Sequence, residues 1–390
     1  MSQNTKDPEV DEAEGTAEQD SLSRTLARLG GRGSGDDGER DLAALAAEHR
    51  RKIITGVVVL VVIATFGVLE VSLGRVLVEG VREGSVIAMV ALGLALIYKS
   101  TGVLNFAQGE FGTVPAYIVL TFLVGGSLAS EIDTGSVGAM QLVSLTLVAV
   151  LAGTLLAVTV NLLVIRRLAN ASPFTSLVAT AGVFTLLGGM QLVIFEPRAR
   201  SFPRYLDGAP CLASSGGECT THLALFGTRI AWHSIIVLFV LLIVAALLAL
   251  LFRTPVGIAL LASSQEPFAA SLYGVSPKAM STLAWGAAGA LGGLAGVLGA
   301  GVFERVSPAF MTRDLLIPAF TAAVLGGITS MVGAVVGGMV LGIVVSFANT
   351  SVLTYGLTDA LPNPPSMASF AVLLLVLYFR PKGLFGKEGG

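Results

Sequence analysis

Long apolar runs separated by short polar segments fill the chain from residue 53 onward. A helix needs about 20 apolar residues to cross a bilayer, so runs of about this length are candidate spans. The pattern predicts about ten transmembrane helices, at residues 53–70, 84–101, 109–128, 140–164, 176–195, 231–252, 281–302, 314–329, 331–350 and 367–379. The predicted fold class is therefore an all-α polytopic membrane protein in which some helices are broken.

The stretch 102–112, GVLNFAQGEFG, interrupts this apolar pattern. It contains Asn105, Gln108 and Glu110 between two segments that otherwise read as lipid-spanning helix. Unpaired polar groups are costly in lipid, so such a break survives only where the backbone is buried in protein or lines a wet cavity. Discontinuous helices hold the substrate in many transporters. We predict that these three side chains lie on a solute path.

A structural role is the alternative for the same residues. Glu110 would then pair with a helix N-terminus or with a neighbour such as Lys99 and so stabilise the fold. Asn105 and Gln108 would satisfy the backbone of the broken helix rather than contact a solute. The sequence alone leaves both interpretations open.

The C-terminal half carries its own interruptions. Seven glycines between Gly286 and Gly301 are mostly three or four residues apart, which predicts close helix packing. A short apolar run marked by Pro318 and by the pair Gly326–Gly327 follows. Such a segment is the natural counterpart of the break at 102–112. We predict that both breaks face one central path.

Composition agrees with a membrane protein. Hydrophobic residues make up 54% of the chain and charged residues 13%, with a mean hydropathy of +0.81, whereas soluble domains carry roughly 25% charged residues. Residues 1–50 differ, because they hold twelve acidic and six basic residues and few bulky apolar ones. We predict a disordered acidic cytoplasmic tail at 1–50, followed by a transmembrane domain at 51–390.

The orientation follows from Lys and Arg in the short loops. With both termini in the cytoplasm, the inner segments collect eleven of these residues and the outer segments eight. The outer eight include Arg75 and Arg82, which precede the predicted span at 84–101. The bias predicts cytoplasmic N- and C-termini.

The candidate chemistry of the chain is sparse. Two cysteines and three histidines are too few for a zinc or haem site, and no nucleotide-binding P-loop occurs, so we predict neither an enzyme nor a cofactor site. Cys211 and Cys219 lie in a Ser/Gly-rich loop. A disulfide is plausible if that loop faces an oxidising exterior, and two free thiols are the alternative.

The segment 253–280, RTPVGIALLASSQEPFAASLYGVSPKAM, is too polar to cross the membrane. It predicts a short inner helix at 264–276 that ends at a Gly274 turn. Glu266, Ala269, Ala270 and Gly274 share a spacing that would present small residues to a groove on a soluble partner.

Three separated motifs now carry a resemblance. GSVIAMVALGLALIYKSTGVLNFAQGEFGTVPAYI at 84–118 resembles the opening signature of LivH-type permeases, the membrane subunits of branched-chain amino-acid ABC importers. The segment at 254–280 resembles the coupling loop of that family, and RPKGLFGK at 380–387 resembles its ending. The acidic tail, the Cys-bearing loop and Pro267 directly after Glu266 depart from the family pattern.

The resemblance implies a permease domain at 51–390 in the plasma (inner) membrane of a bacterium. It implies a second, LivM-type permease, two cytoplasmic ATPases that bind the ATP, and an extracytoplasmic substrate-binding protein as partners, with no role for nucleic acid. Glu266, Ala269, Ala270 and Gly274 are then the expected ATPase contact. The same architecture also serves urea and short amides, which remain alternative solutes.

Two alternatives belong to other functional classes. A proton-coupled secondary carrier would use Glu110 as its proton-bearing group, and a passive channel would use the polar break as its filter. Dependence of transport on a co-purifying ATPase distinguishes an ABC permease from both.

Overall fold

The structure is a computed structural model that describes residues 73–124, 139–168, 171–195, 197–204, 214–215, 218–219, 222–225, 228–356, 361, 363–381 and 383–385. The predicted tail at 1–50 and the predicted span at 53–70 lie outside the described residues. Cys211 also lies outside them, and only the backbone of Cys219 is described, so the disulfide prediction stays a prediction.

Eleven α-helices make up most of the described chain. They are α1 (Leu73–Thr101), α2 (Glu110–Leu123), α3 (Ala139–Leu163), α4 (Pro173–Phe195), α5 (Trp232–Leu251), α6 (Pro255–Gln265), α7 (Pro267–Leu272), α8 (Pro277–Phe303), α9 (Leu316–Gly326), α10 (Met331–Thr354) and α11 (Pro364–Phe379). Short 3₁₀-helical turns, tighter than an α-helix, occur at Phe106–Gln108 and Ile165–Leu168. A wider π-helical turn occurs at Met311–Leu315.

Three short antiparallel ribbons accompany the helices. Their strands are β1 (Arg200–Ser201), β2 (Ser214–Ser215), β3 (Glu218–Cys219), β4 (His222–Leu225), β5 (Thr228–Ala231) and β6 (Arg305–Val306). Strands β2 and β3 pair with each other, as do β4 and β5. Strand β1 pairs with β6, with Arg200 opposite Val306, so the segment after α4 is joined to the turn after α8.

Six helices in the described part of the chain are long and apolar enough to cross a membrane, namely α1, α3, α4, α5, α8 and α10. The all-α polytopic prediction is therefore confirmed. Helices α2 and α9 have 14 and 11 residues, which gives lengths of about 21 and 17 Å against a hydrocarbon core of about 30 Å. These two are the broken elements.

Helix α1 begins at Leu73 rather than at residue 84. Arg75 and Arg82, which the loop-charge argument assigned to an outer loop, are therefore helical. Arg82 forms an ion pair with Glu79 one turn earlier, and pairs at this spacing stabilise a helix surface. This ion pair contributes to the stability of the helical turns that precede the apolar run, and Val76 and Gly80 are buried within them.

Glycines let the central helix α8 contact its neighbours through backbone. A Cβ at Gly293 would lie 2.2 Å from the carbonyl oxygen of Ala149 in α3, and a Cβ at Gly296 would lie 2.1 Å from that of Gly112 in α2. No side chain fits at these distances. The prediction of close packing along 286–301 is confirmed, and α8 is held between α2 and α3.

Candidate functional site

The break between α1 and α2 is a compact, hydrogen-bonded turn. Gly102 ends α1 with a φ of +68°, a conformation that glycine adopts without steric cost. The Asn105 side-chain oxygen then accepts a hydrogen bond of 3.0 Å from the Ala107 backbone N–H and caps the turn at 106–108. The Asn105 side chain thus satisfies a backbone N–H at the break in the helix, as the structural alternative for Asn105 requires.

Gln108 connects the break to α8. Its side-chain nitrogen donates to the carbonyl of Ala288 at 3.0 Å, and its side-chain oxygen accepts from the Asn105 amide at 3.3 Å. A Cβ on Gly93 in α1 would lie 2.3 Å from the same Gln108 nitrogen, so the glycine provides the space for this side chain. Gln108 is fully buried.

Glu110 joins the two interruptions of the chain. Its Oε1 accepts a 2.7 Å hydrogen bond from Oγ1 of Thr312, in the turn that precedes α9. Its Oε2 accepts a hydrogen bond from the side-chain amide of Gln191 in α4. The Gln191 oxygen in turn accepts from the backbone N–H of Ala309 at 2.9 Å. The carboxylate is fully buried.

The three predicted path residues therefore share one buried cluster. Glu110 bonds to Thr312 and Gln191, whereas the ammonium of Lys99, the partner suggested from sequence, lies 4.7 Å from the ring centroid of Phe252. The two breaks also meet, because a Cβ on Gly109 would lie 2.1 Å from the Thr312 hydroxyl. A cavity of about 10 Å³ touches Asn105, which is about the volume of one water probe.

Sequence reasoning missed Gln191 and Thr312. A single glutamine within the otherwise apolar run at 176–195 was a signal for the first. No pattern in the sequence singles out Thr312, because its role depends on a contact between segments distant in the chain.

The non-crossing segment contains two helices rather than one helix at 264–276. Helix α6 ends before Glu266, which has φ −136° and ψ 81°, and α7 begins at Pro267. The proline causes this break, since its ring disfavours helical geometry in the preceding residue.

The end of α7 follows the prediction. Gly274 has a φ of +81°, its N–H bonds to the Ser271 carbonyl, and the Val275 N–H bonds to the Ala270 carbonyl. These two bonds form a Schellman motif, in which a glycine in left-handed conformation closes the helix.

The predicted coupling residues do not all share one surface. Glu266, Ala269 and Gly274 are exposed, whereas Ala270 is buried. The most prominent exposed groups of α7 and its cap are apolar, and the exposed fractions are 76% for Phe268, 73% for Leu272 and 89% for Tyr273. Sequence reasoning missed these three, although large apolar residues in a segment that does not cross the membrane were a signal.

A polar network anchors the start of α8 next to this segment. The side-chain nitrogen of Asn161 in α3 donates to Ser281 at 3.0 Å, and its oxygen accepts from Thr282 at 2.9 Å. Arg166 donates to the carbonyl of Lys278 at 3.0 Å and to Thr282 at 2.8 Å. Movement of the segment before α8 would therefore reach α3 as well.

The opposite end of α8 carries a strained, charged turn. Glu304 and Ala309 both have a φ of 55°, which is unfavourable for residues other than glycine and is often found at functional sites. Arg305 lies between these two residues in the chain, and Arg313 and Asp314 follow them. The Asp314 carboxylate accepts hydrogen bonds from Arg305 at 3.3 Å and from Arg313 at 3.0 Å. Within the described ranges, no three His, Cys, Asp or Glu residues are grouped to hold a metal ion.

Comparison with known proteins relates this architecture to transport permeases. The chain is 26% identical over 315 residues to the high-affinity branched-chain amino acid transport system permease protein BraD of Pseudomonas aeruginosa, covering 80% of this chain and 95% of the relative. It is 26% identical over 311 residues to the permease protein LivH of Escherichia coli K12, covering 79% and 94%. The search of solved structures returned no match.

The family described as "Branched-chain amino acid transport system / permease component" matches residues 76–379. This range contains the break with Asn105, Gln108 and Glu110, the segment with α6 and α7, and the strained turn after α8. The chain therefore belongs to the family of permease components of branched-chain amino acid transport systems.

Proposed function

We propose that this chain is a multi-pass permease subunit of a bacterial ABC importer that moves branched-chain amino acids across the plasma (inner) membrane. ATP hydrolysis on two cytoplasmic ATPase subunits drives the import, and an extracytoplasmic binding protein delivers the solute. Family membership and the relatives named for branched-chain amino acid transport support this solute class.

The exposed apolar surface of α7 carries the proposal. Helix α7 has six residues, far too few to cross a membrane, yet it exposes Phe268, Leu272 and Tyr273. Exposed apolar side chains on a short, rigidly capped helix suit a groove in a soluble partner. We assign this surface, with Glu266, Ala269 and Gly274 beside it, as the ATPase contact. Ala270 supports the contact from the buried side.

The cluster of Asn105, Gln108 and Glu110 is the closed constriction of the solute path in this proposal. Its hydrogen bonds join α2, α4, α8 and the turn before α9, so separation of these elements would open the path. Helix α8 connects the cluster to the ATPase contact, and its glycine contacts favour movement of packed helices as rigid bodies. Alternating access would then follow from rocking of α8 and α3 together.

The remaining partners and the orientation follow from the same proposal. Helix α3 exposes Leu147, Leu151 and Leu155, which are four residues apart and form one apolar stripe. This stripe suits contact with the lipid bilayer or with a second, LivM-type permease.

The proposed arrangement has about ten passes, with both termini and the ATPase contact in the cytoplasm. The 1–50 tail is a cytoplasmic extension.

Substitution of Phe268 by Ala tests the assignment. We expect the purified permease to lose most of its co-purifying ATPase, and leucine uptake in a strain that lacks the native chain to fall to a small fraction of the normal rate. The apolar contact that the phenyl ring would make is the physical reason. Uptake of urea in place of leucine would support the alternative solute class.

Phe239→Ala is the matched control. Phe239 lies on α5 with an exposed fraction of 63%, in a helix long and apolar enough to face lipid. We expect this variant to keep both the ATPase and the uptake. Normal ATPase retention in Phe268→Ala, or uptake that survives ATP depletion and stops when the proton gradient collapses, would contradict the proposal.

A further inference from the structure

A cavity of about 430 Å³ with both charged and apolar lining groups lies at the end of α8 opposite the ATPase contact. Helix α8 has 27 residues, so it separates its two ends by about 40 Å, more than the thickness of the hydrocarbon core. The cavity therefore opens at the membrane face away from α7. Its volume is within the range of small-molecule sites, about 300–1,000 Å³.

The charged lining of this cavity has two distinct parts. One is the turn with Arg305, Arg313 and Asp314, where two guanidinium groups flank one carboxylate and leave one net positive charge. The other is the carboxylate of Glu83, contributed by α1. Arg82, next to Glu83 in sequence, pairs with Glu79. The cavity thus offers both a cationic group and a carboxyl group to a ligand.

The rest of the lining is largely apolar. Ile87 from α1, Phe303 from α8, Leu315 and Pro318 before and within α9, and Val345 from α10 contribute to the walls. Ile87 and Leu315 are almost fully buried, so this wall is part of the packed core. Phe303 is the half-buried member of this wall, and an aliphatic side chain would shield its ring from water, whereas a small polar solute such as urea would not.

We propose that this cavity is a binding site for an aliphatic α-amino acid in its zwitterionic form. The amino acid occupies the cavity before the constriction opens. The α-carboxylate bonds to Arg313 or Arg305, in the geometry that guanidinium groups favour. The α-ammonium group pairs with Glu83, and the aliphatic side chain packs against Ile87, Phe303 and Val345. This inference rests on the proposed function and adds to it a site in this chain.

The cavity is also linked to the constriction. Arg313 and Asp314 follow Thr312 directly, and Thr312 donates the hydrogen bond to Glu110. All three belong to the turn Met311–Leu315. A solute that displaces Arg313 from Asp314 changes the same turn that holds the two breaks together, so occupancy of the cavity favours release of Thr312 from Glu110.

Direct binding of radiolabelled leucine to the purified permease–ATPase complex in nanodiscs, without the external binding protein, tests the site. We expect saturable binding that weakens about tenfold or more in Glu83→Gln and in Arg313→Gln, because each loses a charge-assisted contact. Arg75→Gln, which removes an exposed charge on the same helix outside the cavity lining, is the matched control and should bind like the unaltered chain. Isoamylamine, which lacks the carboxylate, and isocaproate, which lacks the amine, should compete poorly.

A second measurement does not depend on charge. In a chain with Cys211→Ser and Cys219→Ser, the substitution Asn349→Cys introduces a thiol in the cavity wall. We expect a membrane-impermeant thiol reagent to label it from outside intact cells, and leucine to slow the labelling. Tyr273→Cys on the ATPase side should be labelled only after the cells are permeabilised.

The outcomes separate the two proposals. Leucine binding that is absent from the unaltered complex, or unchanged in both charge variants, overturns this site. So does labelling of Asn349→Cys that leucine does not slow. If ATP-driven leucine uptake persists in the unaltered chain in that case, the proposed function stands. Absence of leucine uptake by the unaltered chain contradicts the proposed function itself.

Discussion

The hydroxyl of Thr312 donates a 2.7 Å hydrogen bond to the carboxylate of Glu110, although the two residues are 202 positions apart in the chain. This bond joins the break after α1 to the wide turn before α9. Glu110 is the first residue of α2, and Thr312 lies in the turn directly before α9. Both helices are too short to cross a bilayer. Each broken element therefore stabilises the other, and neither is expected to persist alone.

Removal of the Thr312 hydroxyl should destabilise the fold. Thr312→Val keeps the side-chain shape but leaves a buried carboxylate oxygen without its donor, which we expect to cost about 1–3 kcal/mol. The detergent-solubilised variant should aggregate at a lower midpoint temperature than the unaltered chain, as measured by size-exclusion chromatography after heating. Thr121→Val is the control, because the Thr121 hydroxyl bonds to the Tyr117 carbonyl one turn earlier. Equal midpoints for the two variants would show that the bond contributes nothing.

A methyl group at Gly293 should disturb the α8–α3 contact. The added Cβ would lie 2.2 Å from a backbone carbonyl oxygen of Ala149, which cannot rotate away. We expect Gly293→Ala to cost about 1–3 kcal/mol through overpacking. Gly182→Ala in α4, where no atom lies within 4 Å of the added Cβ, should leave the thermal midpoint unchanged or raise it. A stable Gly293→Ala variant would mean that the helices are further apart than described.

The left-handed conformation of Gly274 should matter for transport. Valine at this position would pay about 1–2 kcal/mol for the same backbone angle and would distort the end of α7. We expect Gly274→Val to reduce ATPase retention and leucine uptake, whereas Gly274→Asn should keep most of both, since asparagine tolerates this conformation. Nothing lies within 4 Å of a Cβ at Gly274, so a steric clash within the chain is not the cause. Equal losses in both variants would instead indicate direct contact with the partner.

The Asn161 network should link α3 to the start of α8. Asn161→Leu keeps the approximate volume and removes both hydrogen bonds to Ser281 and Thr282, at an expected cost of about 1–3 kcal/mol. We expect transport per ATP hydrolysed to fall in proteoliposomes, because α8 and α3 no longer move together. Thr159→Val, an exposed position on the same helix, serves as control. Unchanged coupling in Asn161→Leu would show that glycine packing alone holds the pair.

Several helices were predictable because local sequence determines their ends. Helix α5 was predicted at 231–252 and is found at Trp232–Leu251, since its apolar run ends at charged and turn-forming residues. Helix α10 begins at the predicted residue, where the Ser330 side chain caps it. The start of α1 was not predictable from hydropathy, because the pair of Glu79 and Arg82 supports a helix that an apolar-run criterion rejects.

The polar site was predictable only in part. Asn105, Gln108 and Glu110 stand out because amides and a carboxylate are rare between spanning segments. Gln191 carried the same kind of signal, as an amide within an apolar run. Ala288 and Thr312 could not be found in this way, because their contacts are made by tertiary packing. The break at Glu266 was predictable, because a proline disfavours helical geometry in the residue before it and Pro267 is visible in the sequence. The prediction of one helix at 264–276 did not take this effect into account.

The ribbon of β1 and β6 has a consequence for detecting these motions. Phe202 donates its backbone N–H to the Glu304 carbonyl at 3.1 Å, and Arg204 pairs with the Glu304 carboxylate at 3.5 Å. Residues 197–204 are thereby fastened to the strained turn and must follow it. An antibody fragment that recognises 197–204 in one arrangement would therefore act as a conformational sensor, reporting the state of the interior from an epitope at the surface.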